Sequence, residues 1–478
     1  MAKTREGELW RHFSELNKIA RPSGHEQGAL DYIAKVGREA GCEVISDPKV
    51  GVIIRAKATA GRENDPAIIL QGHADMVPQN DPDVKHEWTK DPIETEEVDG
   101  WLKAKGTTLG ADNGIGISAA LAVITDKSVS HPAIEILATR EEETCMGGAN
   151  ALQAGVLRGK ILLNLDSEEE GEIYIGCAGG LDVDATFKGT KVETADTDIA
   201  IKVSLSGLRG GHSGMDINLG RANANKLMAR FLKFAAANYE SMLADVQGGN
   251  MRNAIPRDAT AVLTIDSEDE EDFMEAVVEF EDMFRSEFAE TEPGLTFTAE
   301  KVETPSTVFY EETTDDLINA LQGSPCGPLK MSATVAGLVE TSVNLAMVKT
   351  EGDEIKVVFL IRSSVESEKE DVASTIDSIY KLAGASVEFN GDYPGWKPRT
   401  ESKAVEMVGA AMKEVLGREP KITAVHAGLE CGIIGAKYEG LDMASFGPTI
   451  RHPHSPSEKV NIETVNRFWE ILKRILKG

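Results

Sequence analysis

Ala67-Ile68-Ile69-Leu70-Gln71-Gly72-His73-Ala74-Asp75 sets four apolar residues ahead of a histidine and an acid. An unbroken apolar run with adjacent β-branched residues suits a strand buried on both faces, as in parallel sheets. If the extended backbone continues, side chains alternate, so His73 and Asp75 point to the same side. An acid beside a histidine is the arrangement that fixes the tautomer of a metal-ligating imidazole. Alone, His-x-Asp is more often a solvated turn.

Two further runs, Ala133-Ile134-Glu135-Ile136-Leu137 and Ile161-Leu162-Leu163, repeat the buried-strand pattern, with helical patterns over 116–125 and 148–157 between them. This alternation predicts an α/β fold around a largely parallel sheet. From about residue 195 the texture changes. Strand-like runs at 199–205, 259–265 and 355–361 alternate with long acidic helices such as 270–287, which predicts an inserted α+β domain. The turn-forming stretch 390–398 reads as the return linker. A helix over 402–416, a strand over 443–446 and a final helix from Ile462 then complete the first domain. On that helix Val465, Trp469, Leu472 and Leu476 mark a core-facing stripe. The expected division is therefore 1–186 and 391–478 for the first domain and 187–390 for the insert. Within the insert, Asn253-Ala254-Ile255-Pro256 has a loose echo in Asn344-Leu345-Ala346.

The bulk numbers agree with two domains, since 478 residues exceed what one hydrophobic core usually organises. No apolar run approaches membrane-spanning length. The opening Met1-Ala2-Lys3-Thr4-Arg5-Glu6-Gly7-Glu8 lacks the apolar centre of a signal peptide, so a cytoplasmic location is expected. Five cysteines without a C-x-x-C pair point to reduced thiols and away from a disulfide framework or a thiolate zinc site. A net charge of −29 repels phosphate backbones and excludes nucleic acid as the expected partner.

Four more stretches place chemistry near predicted strands. Gly106-Thr107-Thr108-Leu109-Gly110-Ala111-Asp112-Asn113-Gly114-Ile115-Gly116 leads into an apolar helix; Asp112 alone reads as a cap, but this glycine density also lets backbone approach a metal centre. Arg140-Glu141-Glu142-Glu143 and Asn164-Leu165-Asp166-Ser167-Glu168 each follow a core strand, at the carboxyl end where open α/β sheets bind ligands. Arg451-His452-Pro453-His454-Ser455 follows the last strand. Each signal is weak alone. Together they supply two histidines, three carboxylates and a spare glutamate, hard ligands that suit Zn²⁺, Mn²⁺ or Co²⁺. One carboxylate bridging two ions roughly 3.5–4 Å apart would make a hydrolytic site.

These motifs resemble those of the zinc metallopeptidase family that includes carboxypeptidase G, aminoacylases and succinyl-diaminopimelate desuccinylase. The similarity covers nearly the whole chain. It is most distinctive at 72–78, 108–116, 164–171, 176–180, 426–432 and 452–456, stretches that are similar to the family's Xaa-His dipeptidase subgroup. The resemblance implies that His73 and Asp166 hold one divalent ion, Glu143 and His454 a second, and that Asp112 bridges them. Zn²⁺ is the expected metal, with Co²⁺ and Mn²⁺ as alternatives. It also implies that Asp75 orients His73 and that Glu142 is the general base. The three consecutive glutamates are placed in register by Met146-Gly147-Gly148-Ala149. Cys145 departs from the family's usual glycine there and would be strained if that position needed a positive φ.

By the same resemblance the insert is a lid whose Gly210-Gly211-His212-Ser213-Gly214 carries a histidine for the scissile carbonyl. Asn253 and Arg362 are candidates for substrate contact, a guanidinium being suited to a terminal carboxylate; for Arg362 a surface salt bridge is the competing reading. Glu430 is a candidate for the substrate's amine. The implied activity is metal-dependent hydrolysis of short peptides, Xaa-His dipeptides first. The alternatives are an N-acyl-amino-acid amidohydrolase and a catalytically silent metal-binding protein, the latter disfavoured by Glu142. The expected partner is a small peptide, with no nucleic acid and no membrane, and a homodimer is the association to consider.

Overall fold

The computed structural model describes residues 5–399 and 401–478, so the first four residues of the N-terminal stretch read above lie outside the described residues. The chain forms two compact units. One comprises Met1–Cys177, Trp396–Ala424 and Leu429–Gly478; the other comprises Ala178–Gly395 and Val425–Gly428. The sequence reading put the first break near 186. It falls earlier because Gly179–Lys188 is a strand paired on both sides within the second unit, to Glu354–Ser363 and Ser386–Tyr393. The latter strand also takes up part of the expected linker, which moves the return to Gly395.

The first unit is built on an eight-stranded sheet. Its strands in chain order are β1 (Glu43–Asp47), β2 (Gly51–Ala56), β3 (Ile68–His73), β4 (Ile134–Thr139), β5 (Ile161–Asn164), β6 (Glu172–Cys177), β7 (Lys421–Val425) and β8 (Asp442–Ser445). Their spatial order is β1-β2-β4-β3-β5-β8-β6-β7. The middle four, β4-β3-β5-β8, are parallel to one another. On one side β2 and β1 add antiparallel, and on the other β8 meets β6 antiparallel, so the sheet is mixed rather than largely parallel. Every residue of β3, β4 and β5 is buried, which is why these strands read as unbroken apolar runs. Because the four central strands run the same way, residues just past His73, Thr139, Asn164 and Ser445 emerge along one edge of the sheet.

Two helical expectations change in detail. The stretch 148–157 is not one helix: only the short helix Gly147–Ala151 enters it, and the rest is loop. On the C-terminal helix Ile462–Lys477 the buried stripe runs through Val465, Phe468, Leu472 and Leu476. Trp469 is only half-buried and has the Lys473 ammonium over its ring.

The helix Glu8–Leu16 carries His12, which is fully buried. Its Nδ1 lies 2.7 Å from the Tyr32 hydroxyl and its Nε2 2.9 Å from Thr125 Oγ1. Burial, with Arg11 beside it, brings its pKa down to about 4. The unfolded chain takes up this proton near pH 6.5 and the folded chain does not, so the contribution is complete above pH 6.5 and lost as pH falls towards 4. A depression of this size corresponds to about 3 kcal/mol at most. Melting temperature should therefore fall over that window, and His12→Gln should flatten the fall; parallel pH profiles for the two proteins would contradict this.

The second unit is a nine-stranded sheet in which all the paired neighbours described are antiparallel. Its main path runs from Thr296–Val302 through Asp198–Ser206, Ala259–Asp266, Met242–Gly248, Val339–Glu351, Glu354–Ser363 and Gly179–Lys188 to Ser386–Tyr393. Its core centres on Phe231, whose ring meets Phe273, Phe280 and Phe297 edge-on. The helix expected at 270–287 is Glu270–Glu287. The echo between Asn253 and Asn344 is not a structural repeat. Asn344 lies inside a long strand, and its Nδ2 donates to the Ala254 carbonyl at 2.8 Å, so the two stretches are partners rather than copies.

Candidate metal centre

Five loops at the strand edge of the first unit bring the predicted ligands together. β3 delivers His73 as its last residue, 1% exposed. The His73 Nε2 atom lies 3.1 Å from Asp112 Oδ1, 3.4 Å from Asp166 Oδ1 and 4.0 Å from Glu142 Oε2. The His454 Nε2 atom lies 3.2 Å from Asp112 Oδ2 and 3.0 Å from Glu143 Oε2. Asp112 thus turns one oxygen to each histidine. Donor atoms of His73, Asp112 and Glu143 all fall within 4.8 Å of one another.

Local backbone explains how each group arrives. Asp112 and Asn113 are non-helical at the head of the helix Ala111–Thr125, which turns the carboxylate out of the helix. The Asn113 amide donates to the Leu165 carbonyl at 2.7 Å, tying this loop to the one carrying Asp166. His454 is held in a hairpin whose arms, Ile450–Arg451 and Lys459–Asn461, pair antiparallel. Both His452 and His454 take positive φ, 55° and 58°, an unusual choice for residues with a Cβ and one met chiefly at functional sites.

The three glutamates part company. Glu143 faces His454, Glu142 lies towards His73, and Glu141 sits in the left-handed region at φ 54° beside Arg140. Cys145 is helical. The positive-φ positions flanking this turn fall instead on Glu141 and Met146, so the strain that Cys145 would suffer does not arise.

Asp75 does more than accompany His73. Its carboxylate lies 3.5 Å from His73 Nδ1, accepts from Ser23 Oγ at 2.7 Å, and accepts the backbone N–H groups of Glu142 and Glu143 at 3.1 and 3.3 Å. One buried side chain therefore fixes both the imidazole and the glutamate turn. Burial would raise its pKa, but His73 and these donors bring it to about 2. Burial likewise opposes the ionised form of Asp112, and the hydrogen bonds from His454 and His73 outweigh it, holding this carboxyl far below the usual range. For Glu142 burial wins: with Asp166, Glu143 and Glu430 adding negative charge nearby, its pKa lies well above that of an ordinary glutamate.

The donor set fits divalent cations on its chemistry: two imidazoles, one buried (His73) and one exposed (His454), and several carboxylates, with no thiolate. Glu143 Oε1 is a buried oxygen without a hydrogen-bond donor, a costly state for a carboxylate unless a cation satisfies it.

Glu430 is 1% exposed. Its Oε2 accepts from Gln71 Nε2 at 2.5 Å and Thr139 Oγ1 at 2.7 Å, at the ends of β3 and β4.

His212, Asn253 and Arg362 belong to the second unit and form a polar cluster there. The strand pair Gly211–His212 and Ala254–Ile255 sets His212 opposite Ala254, and Ser213 N–H donates to the Asn253 carbonyl at 2.9 Å. His212 Nδ1 accepts from the N–H groups of Gly214 and Met215, which leaves the proton on Nε2. Burial, reinforced by Arg362, brings its pKa to about 4. Arg362 is not a surface residue: it is 5% exposed, with Nε 3.3 Å from Ser213 Oγ and Nη1 3.0 Å from the Tyr393 hydroxyl. His426, which sequence reasoning did not single out, donates or accepts at 2.7 Å with Ser342, the register neighbour of Arg362.

The family model for peptidase family M20/M25/M40 matches residues 69–478. A curated relative, the cytosol non-specific dipeptidase of Escherichia coli (strain K12), is 42% identical over 471 residues, covering 98% of this chain and 97% of its own length. The crystal structure of aminoacylhistidine dipeptidase from Vibrio alginolyticus is also 42% identical, with a TM-score of 0.92 and coverage of 98% and 96% of the two chains. Aminopeptidase PepT from Bacillus cereus shares the fold at 17% identity and a TM-score of 0.58, covering 98% and 97%. With the ligand cluster at the strand ends and these matches along nearly its whole length, the chain belongs to peptidase family M20/M25/M40.

Proposed function

We propose that this chain is a cytoplasmic dipeptidase that hydrolyses short peptides with a free C-terminus, Xaa-His dipeptides among them, at a centre of two divalent ions. The observation that carries the reading is the Asp112 carboxylate, whose two oxygens lie 3.1 and 3.2 Å from the Nε2 atoms of two different histidines. A carboxylate so shared could serve both positions of a two-ion site. His73 and Asp166 would complete one position, and Glu143 and His454 the other. Divalent ions held there would acidify a water molecule and polarise the scissile carbonyl. Zn²⁺ suits the ligand set, as do Co²⁺ and Mn²⁺.

The rest is the work of the chain's own side chains. Glu142 would take the proton of the attacking water and return it to the leaving amine. Asp75 keeps His73 in one orientation, and by holding the N–H groups of Glu142 and Glu143 it also fixes the base. His212, neutral and with its proton on Nε2, is a donor for the oxygen on which negative charge develops. Asn253 stands beside it as a further contact. Glu430, also among the candidates, is a part of the buried support under the strand ends.

Arg362 is proposed to bind the peptide's C-terminal carboxylate. A buried guanidinium calls for an anion. Among the described residues no carboxylate lies within 4.0 Å of it, and its partners are two neutral hydroxyls. The Escherichia coli relative is named a non-specific dipeptidase and the Vibrio alginolyticus one an aminoacylhistidine dipeptidase. What they share is dipeptide hydrolysis, and recognition of a terminal carboxylate serves either preference.

The test is a set of paired peptides, free and C-terminally amidated, assayed on wild type and Arg362→Ala. Amidation should cost wild type about 2–5 kcal/mol of binding, read as a raised KM, because a buried charge is left unpaired. Arg362→Ala should lose the discrimination. Equal rates on free and amidated dipeptides by wild type would refute the clamp.

A further inference from the structure

Two buried charged side chains that the reaction does not use hold the loop that carries Asp112. Arg21 is 1% exposed, and its guanidinium is spent on backbone: Nη1 donates to the carbonyls of Ala74 and Asp75, both at 3.1 Å, and Nη2 to the carbonyl of Gly110 at 2.5 Å. It thereby ties the turn after His73 to the loop before Asp112. Glu458, 2% exposed and four residues beyond His454, accepts four successive N–H groups of that loop. They come from Leu109 at 2.7 Å, Gly110 at 2.9 Å, Ala111 at 2.8 Å and Asp112 at 3.3 Å. Four buried N–H groups in a row need an acceptor, and the two carboxyl oxygens of Glu458 supply it.

Two glycines of the loop, Gly110 and Gly114, follow from this arrangement. A Cβ on Gly110 would lie 2.4 Å from Arg21 Nη2 and 2.8 Å from Met76 Sδ, and one on Gly114 would lie 2.6 Å from the same nitrogen. At these two positions the guanidinium leaves no room for a side chain. Arg21 also brings a fixed positive charge close to Asp75, Asp112, Glu143 and Glu458, offsetting the repulsion among carboxylates crowded into one buried place.

We infer that Arg21 and Glu458 are positioning residues that hold Asp112 and the His73–Asp75 turn in ligating geometry, so that the affinity of the centre for divalent cations depends on both. The inference rests on the reading that these ligands bind such ions. The measurement is the Zn²⁺ affinity of the metal-free full-length chain, by competition with a chromogenic chelator, with thermal melting recorded alongside. Glu458→Gln and Arg21→Lys should each weaken Zn²⁺ binding about 10- to 100-fold.

Glu135→Gln is the control. Glu135, on β4, is another buried carboxylate of the first unit, accepting from Arg158 N at 2.7 Å, Gly159 N at 2.8 Å and Arg55 Nε at 3.0 Å, away from the ligands. This variant should melt earlier yet bind Zn²⁺ as wild type does. If Glu458→Gln does not fold, Glu458→Asp carries the same expectation. Wild-type Zn²⁺ affinity in the Glu458 and Arg21 variants, or an equal loss in Glu135→Gln, overturns the inference. Failure of wild type itself to bind Zn²⁺ would instead overturn the metal reading beneath it.

Discussion

Glu142→Gln lowers kcat by about 10²–10⁴-fold while metal content stays at the wild-type level. The amide keeps the size and the hydrogen-bonding reach of the carboxylate but cannot accept a proton from water. Glu142 lies 4.0 Å from the nearest histidine nitrogen, farther than Asp112 or Asp166, and is not among the groups that face His454. Its loss should therefore spare the ions. Glu143→Gln gives the contrasting result, because Glu143 Oε2 lies 3.0 Å from His454 Nε2 and its other oxygen is buried without a donor. That variant loses metal first and activity in consequence. Metal analysis and steady-state kinetics on the two variants decide the matter: metal loss in Glu142→Gln with retention in Glu143→Gln would exchange their roles.

Asp112→Ala loses metal and activity together, and loses them at both positions. The other candidate ligands each face one histidine, whereas Asp112 faces two. Removing its carboxylate also leaves His73 and His454 without their shared acceptor, while Glu143 keeps its unpartnered oxygen. Elemental analysis after purification in excess Zn²⁺ should find less than one firmly held ion per chain, and turnover should fall to the limit of detection. Near-normal turnover with two bound ions would show that Asp112 caps its helix and nothing more.

Much of this was readable in the chain because the physics is local. β3, β4 and β5 are buried on both faces, so they appear as apolar runs, and the parallel arrangement then sends His73, Glu142, Glu143 and Asp166 to one edge. The supporting residues were not readable, because their partners are backbone groups far away in sequence. Arg21 reaches carbonyls 53, 54 and 89 residues on, and Glu458 reaches N–H groups 346–349 residues back. A lone arginine before Pro22, or a glutamate in Ser-Pro-Ser-Glu, carries no periodicity that would mark it. The unit boundary escaped for a similar reason. Gly179–Lys188 has the same strand-forming texture as β6 just before it, and only its pairing, with residues more than 160 positions later, assigns it to the second unit. Trp469 displaced Phe468 in the reading of the last helix because both fit a helical stripe within one residue, and the larger ring takes the edge of the interface with its face towards Lys473.

The central claim is that peptide hydrolysis here depends on two divalent ions held by His73, Asp112, Glu143, Asp166 and His454. Its most direct test is to strip the full chain of metal with a chelator, remove the chelator, and titrate Zn²⁺ or Mn²⁺ back while following hydrolysis of an Xaa-His dipeptide. The expected curve starts at no detectable turnover and reaches its plateau at two ions per chain. Full activity in the metal-free protein, or a plateau already reached at one ion, would contradict it.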